Sequence, residues 1–195
     1  VSGNVNNNSN VTIASGATFS ISASQSQDYS GVISGSGPFR KDGSGALTLS
    51  GNSSNTGNTE VRAGSLTVNG SLSDSTVVDV SSGANYTMGS SDTIGGLQGA
   101  GSVNLNGNEL TVSQSASEAT FSGSISGVSA SSNFRKDGSG TLNFSGHNTY
   151  AGNTYVDAGV LSISGAPNNN SDIVIFKDTI LEFNSGSPQT YTGSI

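Results

Sequence analysis

The sequence has no cysteine and no tryptophan, one methionine, one histidine and three prolines among its 195 residues. Without cysteine there are no disulfides, no zinc–thiolate centres and no thiol nucleophile. Such a chain also crosses an oxidising compartment without cross-linking. Charge is scarce: 10% of residues are charged, six Lys plus Arg stand against thirteen Asp plus Glu, and the net charge is −7. Nucleic acid and anionic membrane surfaces both need a basic patch, so neither is an expected partner. No apolar run approaches the ~20 residues of a membrane helix, so direct membrane insertion by this segment is not expected. No apolar stretch behind Val1 reads as a signal peptide, which predicts a mature or excised chain. Leu, Ile, Val and Phe make up about 22% of the chain, close to the ~20% below which chains tend to stay disordered. A bulky globular core is therefore not expected, and only patterning separates this sequence from a disordered polar tract.

Patterning is present. The stretches "ALTLSG", "SVNLNGNELTV", "TLNFSG" and "DIVIF…ILEF" alternate apolar and small polar residues with a period of two. Gly-containing pairs such as Ala63-Gly64, Ser82-Gly83 and Ala158-Gly159 bound the runs and supply the φ > 0 that tight corners require. No segment has helical periodicity.

Self-comparison organises the chain. Residues 39–70 align without a gap on 134–165, an offset of 95, and "FRKDGSG" recurs letter for letter. Residues 1–33 align on 163–195, an offset of 162, with Tyr29 on Tyr191 and Ile33 on Ile195. A third alignment, offset 67, places Val78, Val80, Gly83, Tyr86 and Met88 over Val11, Ile13, Gly16, Phe19 and Ile21. The chain thus reads as one continuous domain of three modules, 1–67, 68–162 and a partial 163–195. The second module carries an insertion of 28 residues near 89–120, read as one extra coil. Short alternating strands, glycine corners and degenerate repeats predict an all-β right-handed parallel β-helix of roughly nine coils, each about 22 residues long. A thin tube needs only alternate residues inward, which explains the low apolar content.

The paired stretches resemble the autotransporter-associated β-strand repeat, "KxGxGxLxLSGxNTYxGxTxVxAGxLxVxG". The first copy places Lys41, Gly43, Gly45, Leu47, Leu49, Gly64, Leu66 and Val68 on the pattern. The second places Lys136, Gly138, Gly140, Leu142, Phe144, Gly159, Leu161 and Ile163. The first copy departs at Asn52-Ser-Ser-Asn55, where "NTY" would stand. The resemblance implies a type V secretion passenger on the surface of a Gram-negative bacterium. It implies a non-enzymatic stalk and adhesive segment, acting in surface attachment, aggregation or biofilm. The partner would be a host or neighbouring-cell glycan or protein, or a second rod. Both chain ends fall inside the repeat pattern, which makes a self-assembling filament or surface-layer subunit the alternative.

The candidate binding residues are Arg40, Lys41 and Asp42 with Arg135, Lys136 and Asp137, because four of the six basic residues lie in the two heptapeptides. They suit an acidic glycan or carboxylate if exposed. Lys-Asp-Gly-Ser-Gly also reads as a plain turn, the opening corner of a strand-turn-strand unit with Arg and Lys solvated outside. A polysaccharide-processing enzyme is the remaining reading. It needs clustered carboxylates, whereas the nine Asp and four Glu are scattered in sequence. His147 replaces Asn52 of the first copy and reads as a turn residue. No nonapeptide period accompanies "KDGSG", so no calcium, metal or other cofactor is expected. Tyr29, Phe121 and Tyr191 stand in equivalent places and read as stacked on the core.

Overall fold

A computed structural model describes residues 7–22, 24–115, 118–168, 171–188 and 190–195. The equivalence of Val1–Gly3 with 163–165, and of Asn6 with Asn168, lies partly outside them. Among the described residues there are twenty-two strands of three or four residues and no helix. The longest sheet, face one, stacks β2 (Phe19–Ser22), β5 (Phe39–Asp42), β7 (Thr59–Val61), β9 (Val77–Val80), β12 (Gly96–Gly99), β15 (Glu118–Phe121), β18 (Thr141–Phe144), β20 (Val160–Ile163) and β22 (Ile180–Phe183). Face two stacks β3 (Gln27–Tyr29), β6 (Ala46–Leu49), β8 (Ser65–Val68), β10 (Asn85–Met88), β13 (Ser102–Asn104) and β16 (Ser124–Ser126). Face three holds β11 (Asp92–Ile94), β14 (Leu110–Ser113), β17 (Phe134–Asp137), β19 (Thr154–Val156) and β21 (Ile173–Ile175). The pair β1 (Val11–Ile13) and β4 (Ile33–Gly35) occupies the same place in the coil order. Every strand pairing among the described residues is parallel and in register, which makes a three-sided β-solenoid.

Paired positions lie between 17 residues apart (Asn85 and Ser102) and 24 apart (Leu110 and Phe134). One inward column runs Ile21, Lys41, Val61, Val80, Gly99, Phe121, Phe144, Ile163, Phe183, eight steps of the solenoid. At about 4.8 Å per step those eight turns span about 38 Å.

The column explains the sequence offsets. From Ile21 to Phe183 is 162 residues, so the outer alignment returns to the same face after eight whole turns. The inner offsets do not. The first "FRKD" is β5 on face one, and the second is β17 on face three. Likewise Val11–Ile13 pairs in β1, while its counterpart Val78–Val80 lies on face one. The 28-residue insertion exceeds the longest coil spacing of 24. It adds one coil and about one further face, rotating the second copy around the rod. Alternation and turn chemistry specify the strand-turn-strand unit, and every face offers the same apolar interior, so the unit is accepted on any of them.

The core is the stack of inward residues, including Leu47, Leu66, Val80, Tyr86, Val103, Phe134 and Leu161, each 0–1% exposed. The corners are left-handed as expected, with φ +80° at both Gly16 and Gly83.

Candidate functional site

Phe39 and Lys41 are two residues apart on one strand, so their side chains leave the same side. Phe39 points into the core, and Lys41 follows it: both are 0–1% exposed, as are Phe134 and Lys136. The lysines are not solvated outside, and they cannot contribute to a surface binding site. The alternation of the strand, read one residue further back, was the signal for this. The "FRKD" residues are strand rather than corner, and only the Gly-Ser-Gly behind them turns.

Each lysine stem lies within an apolar column, Lys41 between Ile21 and Val61, Lys136 between Val112 and Val156. The ammonium ends on backbone carbonyls. Lys41 Nζ donates to the oxygens of Asp42 (3.0 Å), Gly43 (2.8 Å) and Ala63 (3.0 Å). Lys136 Nζ donates to those of Asp137 (2.7 Å), Gly138 (2.7 Å) and Ala158 (3.1 Å). Three protons meet three acceptors, which satisfies an ammonium completely. Two acceptors belong to the lysine's own turn and the third to the Ala-Gly corner 22 residues on, so each lysine clamps one coil to the next. Gly43 (φ +81°), Gly64 (+67°), Gly138 (+76°) and Gly159 (+68°) shape these corners. The Lys, Gly and Ala-Gly positions of the repeat are therefore one structural unit. Burial lowers the pKa of both lysines against the opposing charge of the neighbouring Asp, and that of Lys136 falls to about 8.

The arginines face outward in different settings. Arg40 Nε donates to Asp42 Oδ2 at 2.8 Å on face one. Burial raises the Asp42 pKa, but hydrogen bonds from Ser20 and Arg40 and the charges of Arg40 and Arg62 outweigh it and leave the carboxyl below its usual range. Arg135, on face three, bridges Glu109 (3.2 Å) and Asp157 (2.5 Å), with its guanidinium carbon 4.4 Å from the Tyr155 ring centre. The two candidate triads therefore lie on different sides of the rod and form no common site. Arg135→Ala is expected to cost about 1–2 kcal/mol and Arg40→Ala about 0.5 kcal/mol or less, because only Arg135 combines two partners with a ring face. Urea midpoints of the two variants check this ordering.

Stacking also assembles what the sequence scatters. Asp74, Asp92 and Glu109 share a shallow recess of about 300 Å³ with Ser91, Thr93 and Thr111. Among the described residues no three His, Cys, Asp or Glu are placed to hold a metal ion. Asp92 lies in register with the buried Leu110 and accepts the Leu72 N–H at 2.8 Å. Burial, with a smaller push from Asp74, raises its pKa to about 6 despite that bond. A raised folded pKa means the native state holds the proton more tightly, so this group's contribution to stability is lost as pH rises from about 4 to 6. Asp92→Asn should flatten the slope in that window and raise stability at pH 7 by about 1 kcal/mol, a figure reduced for the solvent that still reaches the carboxyl. Thermal melts at pH 4, 5, 6 and 7 read both effects.

The other candidates are structural. Leu47, Leu49, Val68, Leu142, Phe144 and Ile163 are all buried, as the pattern predicted. Tyr29 OH donates to Ser9 O and Tyr191 OH to Ser171 O, both at 2.5 Å, the same contact repeated eight turns along the rod. His147 is exposed and lines an open groove with Pro167 and Pro188.

A model of the Passenger-associated-transport-repeat family matches residues 39–68 and 134–163, the two clamp-bearing copies. Over 159 residues the chain is 33% identical to an adhesin autotransporter, BmaC, of Brucella suis biovar 1 (strain 1330). That alignment covers 76% of this chain and 5% of the adhesin, so the chain corresponds to a small part of that protein's length. No solved structure matches.

Proposed function

We propose that this chain, an autotransporter passenger segment with two passenger-associated-transport repeats, is a rigid spacer and adhesive surface of a Gram-negative cell-surface adhesin. The observation that carries this is the 33% identity to an autotransporter adhesin across most of the chain. The geometry supports it. Each coil bonds to the next through a ladder of backbone hydrogen bonds, and the lysine clamps reinforce the ladder without metal or disulfide. A rod of this kind presents side chains at fixed intervals, so attachment to a glycan or protein on a host or neighbouring cell comes from many weak contacts acting together. The segment acts by binding rather than catalysis; of the two heptapeptide carboxylates, Asp42 pairs with Arg40 and Asp137 accepts a hydrogen bond from Ser113.

Beads coated with the purified chain should attach to epithelial or bacterial cell layers well above beads coated with albumin. Attachment equal to the albumin control would overturn the reading.

A further inference from the structure

We propose that face two, with the recess at its last corner, is a binding site for a neutral glycan; the assignment rests on the adhesive reading and names its ligand class. Between Ala46 and Ser126 the strands of this face, β6, β8, β10, β13 and β16, contain no charged residue. The outward row reads Thr48, Thr67, Thr87, Asn104, Ser126, each in register with the next. Its neighbours behind the sheet, Leu47, Leu66, Tyr86, Val103 and Ile125, are 0–1% exposed, so the row stands on a packed support. Faces one and three differ: their outward positions hold Arg40, Glu60, Asp79 and Arg135. The strands of this face carry one charge, Asp28 of β3, which stands beside Thr48 at the first rung of the row, at the far end from the recess.

The row ends in a hollow. Where β13 and β16 leave the sheet, Asn104, Asn106, Ser126, Val128 and Ser129, with two glycines, enclose a recess of about 280 Å³. Asn106 (φ +51°) and Gly107 (φ +84°) are consecutive left-handed residues that bend the backbone around it. Asn104 Oδ1 accepts the Asn106 N–H at 2.9 Å, which leaves the Asn104 amide N–H groups to donate outward. Val128 is fully exposed on the rim; the other exposed large hydrophobics among the described residues lie at 174 and beyond. A rim methyl pair beside amide and hydroxyl groups is the combination a sugar ring requires, with an apolar C–H surface and hydroxyls around it. With no cation on this face, an acidic glycan gains nothing here and meets the repulsion of the acidic rod. A neutral chain pays no such penalty, and the threonine row extends the contact beyond the recess.

The test titrates the 195-residue chain with maltohexaose, cellohexaose, mannohexaose and hexagalacturonate, read by calorimetry and amide chemical shifts. At least one neutral hexamer should bind, with hexagalacturonate at least about tenfold weaker. Val128→Asp, on an exposed loop, should weaken the neutral ligand about tenfold without shifting the melting temperature, and Thr67→Lys should also weaken it. The proposal is overturned if no neutral hexamer binds, if the acidic one binds equally well, or if Val128→Asp binds like the parent. It also fails if the chain is dimeric and Thr67→Lys makes it monomeric while no sugar binds, since the face is then an interface between copies. Beads carrying Val128→Asp separate the two levels. Full attachment by the variant removes this site and leaves the adhesive reading intact, whereas absence of attachment by the parent chain removes the reading itself.

Discussion

Replacing Lys136 with methionine is expected to lower the melting temperature by about 5–10 °C, from the ~2–3 kcal/mol cost of orphaning buried carbonyls in a domain of this size. Methionine matches the lysine stem in length, so the inward column between Val112 and Val156 stays filled. What is lost is the donor for the carbonyls of Asp137, Gly138 and Ala158. The opposite outcome has a sound basis too: replacing a buried charge by an apolar group of similar volume is often neutral or stabilising. The balance here turns on the corner. Gly138 and Gly159 are held left-handed, and the third carbonyl sits on the next coil, so the acceptors have little freedom to turn toward water. An unchanged or raised melting temperature would mean that the clamp is not stabilising. The pH dependence carries a separate signature. The folded pKa of about 8 lies below the ordinary lysine value, so between pH 8 and about 10.4 the unfolded chain binds the extra proton and this group makes stability rise with pH. Below pH 8 the cost of burying the charge is fully present. The methionine variant should lose that rise.

Gly146→Ala should destabilise by about 3 kcal/mol or more, since overpacking against fixed backbone exceeds ordinary core overpacking. A Cβ at Gly146 would overlap the carbonyl oxygen of Gly123 on the preceding coil, and a Cβ at Gly123 would overlap that of Gly101. Gly165 continues the column against Gly146. These are contacts between backbones of successive coils, and no rotamer change relieves them. Gly146 does not have a positive φ, so any loss reports crowding alone. Gly16→Ala is the matched comparison: nothing lies within 4 Å of its Cβ, but φ is +80°, and it should cost only the ~1–2 kcal/mol of a left-handed non-glycine residue. Equal losses for the two variants would contradict the coil-to-coil contact.

Much of the fold was legible because a solenoid writes its structure locally. Period-two runs such as "ALTL" and "TLNF" and glycine corners such as Ser82-Gly83 are complete signals by themselves. The 162-residue offset marks equivalent positions in the sequence, and the register shows that it spans eight whole turns. Two things were not legible. The face on which a repeat sits depends on the accumulated length of every preceding corner: the 67-residue spacing already moves the pattern of Val11–Ile13 to face one, and the insertion near 89–120 adds to the shift that puts the second "FRKD" on face three. The grouping of Asp74, Asp92 and Glu109 depends on the same register. The burial of the lysines is written in the alternation set by Phe39 and Phe134, but their charge points the other way. A lone charge is rarely buried, but three convergent carbonyls supply what it needs, and only the folded corners bring them together.

The repeat lysine is an internal clamp, and the chain's three lysines provide the direct measurement. Native amine acetylation at pH 8, followed by mass spectrometry, should modify Lys177 rapidly, since its side chain is 91% exposed. Lys41 and Lys136 should remain protected until the chain is denatured. Modification of Lys41 and Lys136 at the rate of Lys177 in the folded protein would contradict the account.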